Sequence, residues 1–474
     1  MSASLAHSAG RIVPLAWPVF IGQLSVVAFG TIDTLLVARH SSGELAALAV
    51  GGACYFTIFI GFMGVLIALS PIVGRLLGAG QHAAAGAQLH QAVWLALLLS
   101  VPGCGLLLFP GPLVALAHLN PQLDAVVRSY LASLALALPA SLLFTVFRAF
   151  NTAVSRPKAV MLIQLAALLV KAPLSLLLLQ GVPGLGWPAL GVIGCSLATV
   201  CVMWLQLALA VVLLRRDPFY ARFAIFDVSF DKLRRGLRPP DPAALRALLA
   251  LGLPIGLSTV IEVSGFTFMA VFIARLGVIP VAGHQLTANV MAMLFMLPLA
   301  LSNATSARVA QHVGARELHV AQRLGWHGMA LAIGLATLCG VAVVLVRGPL
   351  VGLYTSDAAV AAAAMPLMAW LALFHICDAA QTMAAFVLRS WYVATVPTLI
   401  YAAALGGVGL GGGYLLAFDV LGHTPAWLQG APGYWAAGTA GLALAALALS
   451  ALWWWVLRQR MHEGCRKATP LGQR

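Results

Sequence analysis

The sequence predicts an all-α polytopic membrane protein, with twelve transmembrane helices in two homologous six-helix bundles. Three observations carry that reading. Hydrophobic residues make up 62% of the 474 and charged ones only 8%, whereas soluble domains carry about a quarter charged residues. Apolar runs long enough to cross a hydrocarbon core of ~30 Å, about 20 residues as a helix, recur from one end of the chain to the other. A segment of the first half also reappears in the second, so that Pro18 falls on Pro254. A transmembrane β-barrel would show alternating segments of about ten residues, and these runs are continuously apolar.

Apolar runs between charges and Gly/Pro breaks place the helices at 12–38, 45–76, 88–110, 126–149, 159–180, 188–214, 244–275, 281–309, 323–346, 358–388, 393–417 and 433–457. The first run is too long for the apolar region of a cleavable signal peptide and is read as the first span. Several runs reach 25 residues or more, enough to span with tilt. The longest polar stretch, RRDPFYARFAIFDVSFDKLRRGLRPPDP, separates the sixth run from the seventh. The chain is therefore divided into an N-terminal six-helix lobe, 1–214, a basic cytoplasmic linker, 215–242, a C-terminal six-helix lobe, 243–457, and a basic cytoplasmic tail, 458–474. The shift that pairs Pro18 with Pro254 also pairs Ala38 and Arg39 with Ala274 and Arg275, Ser70 with Ser306, and Gly78 with Gly314. Farther along, the register slips and Arg148 matches Arg389. An even number of helices per half gives the two repeats one orientation, a construction typical of transporters.

The net charge of +14 is a matter of topology and not a nucleic-acid footprint, because the 27 Lys and Arg cluster between apolar runs. With the N-terminus in the cytoplasm, inside segments hold 22 of them and outside segments four. That bias puts both termini on the cytoplasmic side, and the membrane is expected to be a bacterial cytoplasmic membrane. The seven Cys are scattered and none forms a C-x-x-C, so they read as small buried side chains. None of the four lysines follows a glycine, which excludes a G-x-x-x-x-G-K-[ST] phosphate loop. There is no H-E-x-x-H, no G-x-S-x-G and no haem-attachment motif. The chain is therefore expected to be neither an enzyme nor a cofactor carrier. GGVGLGGG, 406–413, has a dinucleotide-like spacing, but inside an apolar helix it reads as small-residue helix packing.

Four ionisable side chains lie within spans away from their ends: Asp33, Lys171, Glu262 and Asp378. Each costs about 2.5–3.5 kcal/mol on insertion scales, which marks it as a candidate functional group. Glu262 is the only charged residue between Arg246 and Arg275. Ser258, Thr259 and Phe266 share its helix face, as His375, Gln381 and Thr382 share that of Asp378. Gln285 and Asn289, four apart, add a polar stripe on the eighth helix. His284 and His375 each read first as hydrogen-bonded core histidines. Three stripes in one half with no mid-span Lys or Arg suggest a cavity lined by acids. Burial disfavours a carboxylate's charged form, so such a group takes up either a proton or Na⁺. Competition of the two cations for one negative site is the chemistry of an antiporter.

These residues carry a resemblance. GLPIGLSTVIEVSGFTFMAVFIARLGVIPVAGHQLTANVMAMLFMLPLALSNATSARVAQHVG is similar to helices seven and eight of the multidrug and toxic compound extrusion (MATE) family, NorM-type branch. CDAAQTMAAFVLRS resembles that branch's helix ten, and PVFIGQLSVVAFGTIDTLLVARHS its helix one. The resemblance implies efflux of lipophilic organic cations, drugs and dyes, in exchange for Na⁺ or H⁺. The implied path is a central cavity between two lobes, worked by rocker-switch alternating access. It implies ion coupling at Glu262, Asp378 and Asp33, with Glu262 and Asp378 the ligands if the ion is Na⁺. Gln285, Phe266 and Asp357 are placed at the drug, with Asn289 and His375 in the same cavity. Two positions depart from the family pattern: Lys171 stands where asparagine is expected and Phe374 where tyrosine is expected. Lys171 is read as a tethered cation for Asp33, modulating the N-lobe site. The expected partners are organic cations and the lipid bilayer, for a chain acting as a monomer. The alternative is a flippase of lipid-linked saccharides with the same architecture, whose pyrophosphate wants a cationic cavity that only Lys171 supplies. A membrane redox enzyme would need paired histidine ligands.

Overall fold

A computed structural model describes residues 4–111, 120–181, 188–226 and 238–468. The basic linker's central residues, 227–237, and the tail's last six, 469–474, lie outside the described residues. Twelve helices are long and apolar enough to cross a membrane. They are α1 (Leu5–His40), α2 (Gly43–Gly78), α3 (His82–Leu108), α4 (Pro121–Ala153), α5 (Pro157–Gln180), α6 (Val192–Arg216), α7 (Pro242–Ala274), α8 (Val278–Gly314), α9 (Leu318–Tyr354), α10 (Ala358–Ser390), α11 (Thr395–Ala417) and α12 (Ala431–Met461). Helix α12 continues as helix to Ala468. Each corresponds to one apolar run of the sequence. Most extend past the run by several residues, because the backbone keeps its hydrogen bonds beyond the hydrocarbon and caps decide where it stops. Asn120 caps α4 by accepting from Leu123 N–H at 2.8 Å, with Pro121 in the first turn.

The sixth helix starts at Val192, four residues later than its apolar run suggests, for a local reason. Gly191 has φ +57°, and a Cβ there would lie 2.4 Å from Glu44 Oε1. Glu44 uses that space to reach across from α2 and accept the Val192 N–H at 2.8 Å, so a carboxylate of one helix caps the start of another. Helix α2 is interrupted at Ala68, where the helical pieces Ser42–Ile67 and Leu69–Gly78 meet. Helix α11 is composite as well, its residues Ala402–Gly411 being wound as a π-helix.

Close contacts gather the chain into two units, Ile21–Gly256 and Met1–Phe20 with Leu257–Arg474. Helices α1 and α7 each pass from one unit to the other, two residues after Pro18 and Pro254 respectively. Proline inside a helix removes a ladder hydrogen bond and permits a bend. The matched prolines thus mark the matched crossings of the two repeats. In the unit Ile21–Gly256 the core runs from Leu66, Leu69 and Val73 through Leu131 and Leu138 to Phe150 and Phe223. In the other unit the largest buried side chains are Trp435, Trp453 and Tyr434, packed with residues of α8, α9 and α10.

Beyond α6 a 3-10 turn, Pro218–Phe223, folds back under the first unit. Tyr220 Oη donates to Asn151 Oδ1 at 2.6 Å, and Phe223 stacks edge-on against Phe150 at 5.2 Å. Asp217 accepts the Phe219 N–H and pairs with Arg156. That N–H, and then the guanidinium, hold the Asp217 carboxyl below its ordinary range. Arg156 and Arg222 lie over the Phe219 ring, 4.0 and 3.9 Å from its centre. Gly86 of α3 makes this docking possible, since a Cβ there would meet the Phe223 carbonyl oxygen at 2.0 Å. Gly86→Val is expected to push the turn off α3 and to cost about 1–3 kcal/mol, the usual range for overpacking. Gly334→Val, where a Cβ meets nothing within 4 Å, is the control. Equal melting temperatures for the two variants in detergent would contradict this packing.

Candidate functional site

Glu262 of α7 and Asp378 of α10 come together in the unit Leu257–Arg474, and a single side chain joins them. Gln381 lies one turn beyond Asp378, so α10 carries both on one face. Its amide nitrogen lies 3.0 Å from Glu262 Oε1, 2.8 Å from Asp378 Oδ1 and 3.0 Å from Thr382 Oγ1. An amide nitrogen has two hydrogens, and here two carboxylates and a hydroxyl compete for them. The Gln381 carbonyl oxygen accepts from Tyr401 Oη of α11, which fixes which end of the amide faces the acids. Nearby, Ser258 of α7 and Thr398 of α11 share a hydrogen bond of 2.8 Å. Among the described residues neither carboxylate forms an ion pair. Two acids on one neutral amide therefore leave a negatively charged site that a cation can meet.

A cavity of about 470 Å³, its open mouth included, lies against this cluster. Glu262 and Asp378 supply its acid and Phe266, Phe374 and Tyr434 its aromatic walls. Phe374 packs edge-on against Phe266 at 5.5 Å and against Trp435 at 5.3 Å. The position where tyrosine was expected is thus an apolar wall, and the phenolic hydroxyl near the acids comes from Tyr401 instead. The far wall is the π-wound part of α11, with Leu405, Gly409 and Leu410. A Cβ on Gly441 of α12 would lie 2.6 Å from the Ala404 carbonyl oxygen. Within the glycine run of α11, a Cβ on Gly413 would meet the Tyr434 ring at 2.5 Å while Gly406 and Gly407 face open space, so only part of the run packs closely against α12.

Of the residues expected to line the substrate cavity, Phe266 lines this one. Gln285 and Asn289 lie on the exposed face of α8, while His284, Leu286, Thr287 and Val290 take the buried one. Asp357 is exposed and caps α10, accepting from Ala359 N–H at 2.8 Å and from Val360 N–H at 3.4 Å. His375 is fully buried, and neither ring nitrogen has a hydrogen-bond partner among the described residues. The expected hydrogen-bonded core histidine is His284, whose Nδ1 accepts from Trp435 Nε1 at 3.3 Å. Gln381 and Tyr401 were not singled out as site residues from sequence. The only signal was position, Gln381 on the Asp378 face and Tyr401 as one of four hydroxyl side chains in a largely apolar run.

The unit Ile21–Gly256 holds the other two intramembrane charges, and they pair. Lys171 Nζ of α5 lies 2.8 Å from Asp33 Oδ2 of α1, and both side chains are buried. The same nitrogen lies 3.0 Å from the Cys195 carbonyl oxygen and 2.8 Å from Thr199 Oγ1, both on α6. Ser175 Oγ donates to Asp33 Oδ1 at 3.0 Å. No group of three or more His, Cys, Asp or Glu with metal-binding geometry occurs among the described residues.

Comparison with known proteins agrees with this architecture. The MatE family model matches residues 18–177 and 254–415, two blocks that begin at the repeated prolines. A probable multidrug resistance protein NorM of Aromatoleum aromaticum is 40% identical over 457 residues, covering 96% of this chain and 95% of that one. The multidrug resistance protein PmpM of Pseudomonas aeruginosa is 32% identical, covering 93% and 90%. Among solved structures, the eukaryotic MATE transporter AtDTX14 superposes with TM-score 0.83 at 18% identity, covering 96% of this chain and 98% of that one. The Vibrio cholerae MATE transporter VcmN in its bent form gives 0.80 at 18% identity, covering 96% and 98%. With two matched blocks, twelve spans and a full-length relative at 40% identity, the chain belongs to the MATE family of membrane transporters.

Proposed function

We infer that this protein is a multidrug efflux antiporter that exports lipophilic organic cations in exchange for Na⁺ or H⁺ by alternating access. Glu262 and Asp378 are the coupling pair. The observation that carries the reading is their shared hold on the Gln381 amide with no ion pair to either. Like charges held close in a low-dielectric site demand a compensating cation. A proton, Na⁺ or a cationic drug at the cavity supplies it, and each cation bound reduces the negative charge that would hold the next. Binding one therefore weakens binding of the next, which is the competition that exchange requires. Phe266, Phe374 and Tyr434 would hold the drug by cation–π and apolar contact. The names of the NorM and PmpM relatives support multidrug export. The bacterial relatives support an inner-membrane protein, the Lys and Arg distribution supports both termini in the cytoplasm, and the chain is taken to work as a monomer.

A flippase of lipid-linked saccharides is disfavoured by the same cavity. A pyrophosphate would meet two carboxylates there, and the ammonium that could have attracted it is engaged by Asp33. The test is ethidium transport in everted membrane vesicles given either a Na⁺-loaded lumen or an acid lumen. One gradient should drive ethidium into the lumen, and the other should add little. Uptake driven by neither gradient would sink the antiport reading.

A further inference from the structure

We propose that the unit Ile21–Gly256 contains a built cation site whose permanent occupant is the protein's own Lys171 ammonium. The site is an oxygen cage contributed by two helices, with the ammonium reaching in from a third. Asp33 Oδ2 comes from α1, and the Cys195 carbonyl and Thr199 Oγ1 come from α6, at 2.8, 3.0 and 2.8 Å from Nζ. An ammonium carries three N–H donors and no acceptor, and these three oxygens satisfy it completely. The surroundings are closed in the same way. Thr199 Oγ1 accepts from the ammonium and passes its own hydrogen to the Cys195 carbonyl at 3.0 Å. The second carboxylate oxygen of Asp33 accepts from Ser175. No donor of this cluster is left over, and Lys171 is fully buried.

Carboxylate, peptide carbonyl and hydroxyl are the oxygen ligands that hard cations take. Around a mobile ion the same set would be an exchange site. Around a tethered ammonium it is not one, because the occupant cannot leave and the single negative charge is already balanced. The two units thus treat their acids differently. One joins two carboxylates through a neutral amide and keeps a place for an ion, and the other fills its place with a side chain. One consequence is that this chain has a single exchangeable cation site. A second is that removing the lysine amine uncovers a latent Na⁺ site at Asp33.

Counting ²²Na⁺ bound per chain on purified protein at pH 8 tests this. The double substitution Glu262→Gln/Asp378→Asn serves as background, so that the count does not depend on the coupling pair proposed above. The background should bind no Na⁺. Adding Lys171→Met should bring the count to one per chain, and adding Asp33→Asn to that should return it to none. Lys171→Gln, which keeps a side chain of similar length without the charge, provides a second variant if methionine packs poorly. A background that already binds a Na⁺ which Asp33→Asn removes would overturn the proposal. So would an unchanged count in both Lys171 variants. Failure of the coupling assignment shows separately, as equal Na⁺ and H⁺ binding by wild type and background.

Discussion

Glu262→Gln and Asp378→Asn are each expected to lower gradient-driven ethidium efflux by about ten- to a hundredfold, with protein level and melting temperature near wild type. The magnitude is that of one charge-assisted hydrogen bond, ~1.5–3 kcal/mol, at about 1.4 kcal/mol per factor of ten. Each substitution keeps the shape of the side chain and its contact with Gln381 while removing the charge that an ion or drug must meet. Stability should survive, because a neutral group in place of one of two close carboxylates relieves their repulsion. Gln381→Leu is expected to fall between wild type and these variants. It leaves both charges in place but removes the amide that both share, together with the Tyr401 contact that orients it. The measurement is initial efflux rate against imposed Na⁺ and pH gradients. Both acid variants transporting at the wild-type rate with unchanged ion dependence would end the assignment.

What could be read from the sequence follows from where the physics is local. Twelve spans were legible because the hydrocarbon thickness imposes a minimum apolar length on every crossing. The acids were legible because a charge in such a run is costly wherever it sits. Gln381 and Tyr401 carry no such penalty signal. Their importance lies in which face of α10 and α11 turns toward α7, and that is set by packing. Gln285 and Asn289 show the converse. Their spacing correctly puts them on one face of α8, but periodicity alone does not say which face is buried. Asp357 was placed at the drug by resemblance alone, and its use as the cap of α10 had no signal in an apolar-run reading. The late start of α6 depended on Glu44, 148 residues away in sequence. Lys171 and Asp33 were each legible as buried charges, and their pairing, proposed from the departure of Lys171 from the family pattern, is made by the approach of α1 to α5.

Lys171→Met alone is expected to destabilise the protein by ~3–5 kcal/mol, the cost of leaving a buried charge without its partner. Asp33→Asn/Lys171→Met should recover most of that loss, since replacing both members of a buried pair is often close to neutral. The cycle separates a charge effect from a packing effect, because the methionine is present in both variants. A packing loss would persist in the double variant, and a charge effect would not. The cage around Lys171 adds a condition to the prediction. A carboxylate flanked by the Cys195 carbonyl and the Thr199 hydroxyl can be compensated by Na⁺, so the single variant should regain stability as Na⁺ is added. At a hundredfold excess over the dissociation constant the gain is about 2.7 kcal/mol. In the Glu262→Gln/Asp378→Asn background, thermal melting across a Na⁺ titration with choline as the replacement ion reads this directly. The Lys171→Met melting temperature should climb with Na⁺, while those of the background and of the variant that also carries Asp33→Asn stay level. Were the Lys171→Met curve level too, the oxygen cage would be a structural ion pair with no capacity for a free cation.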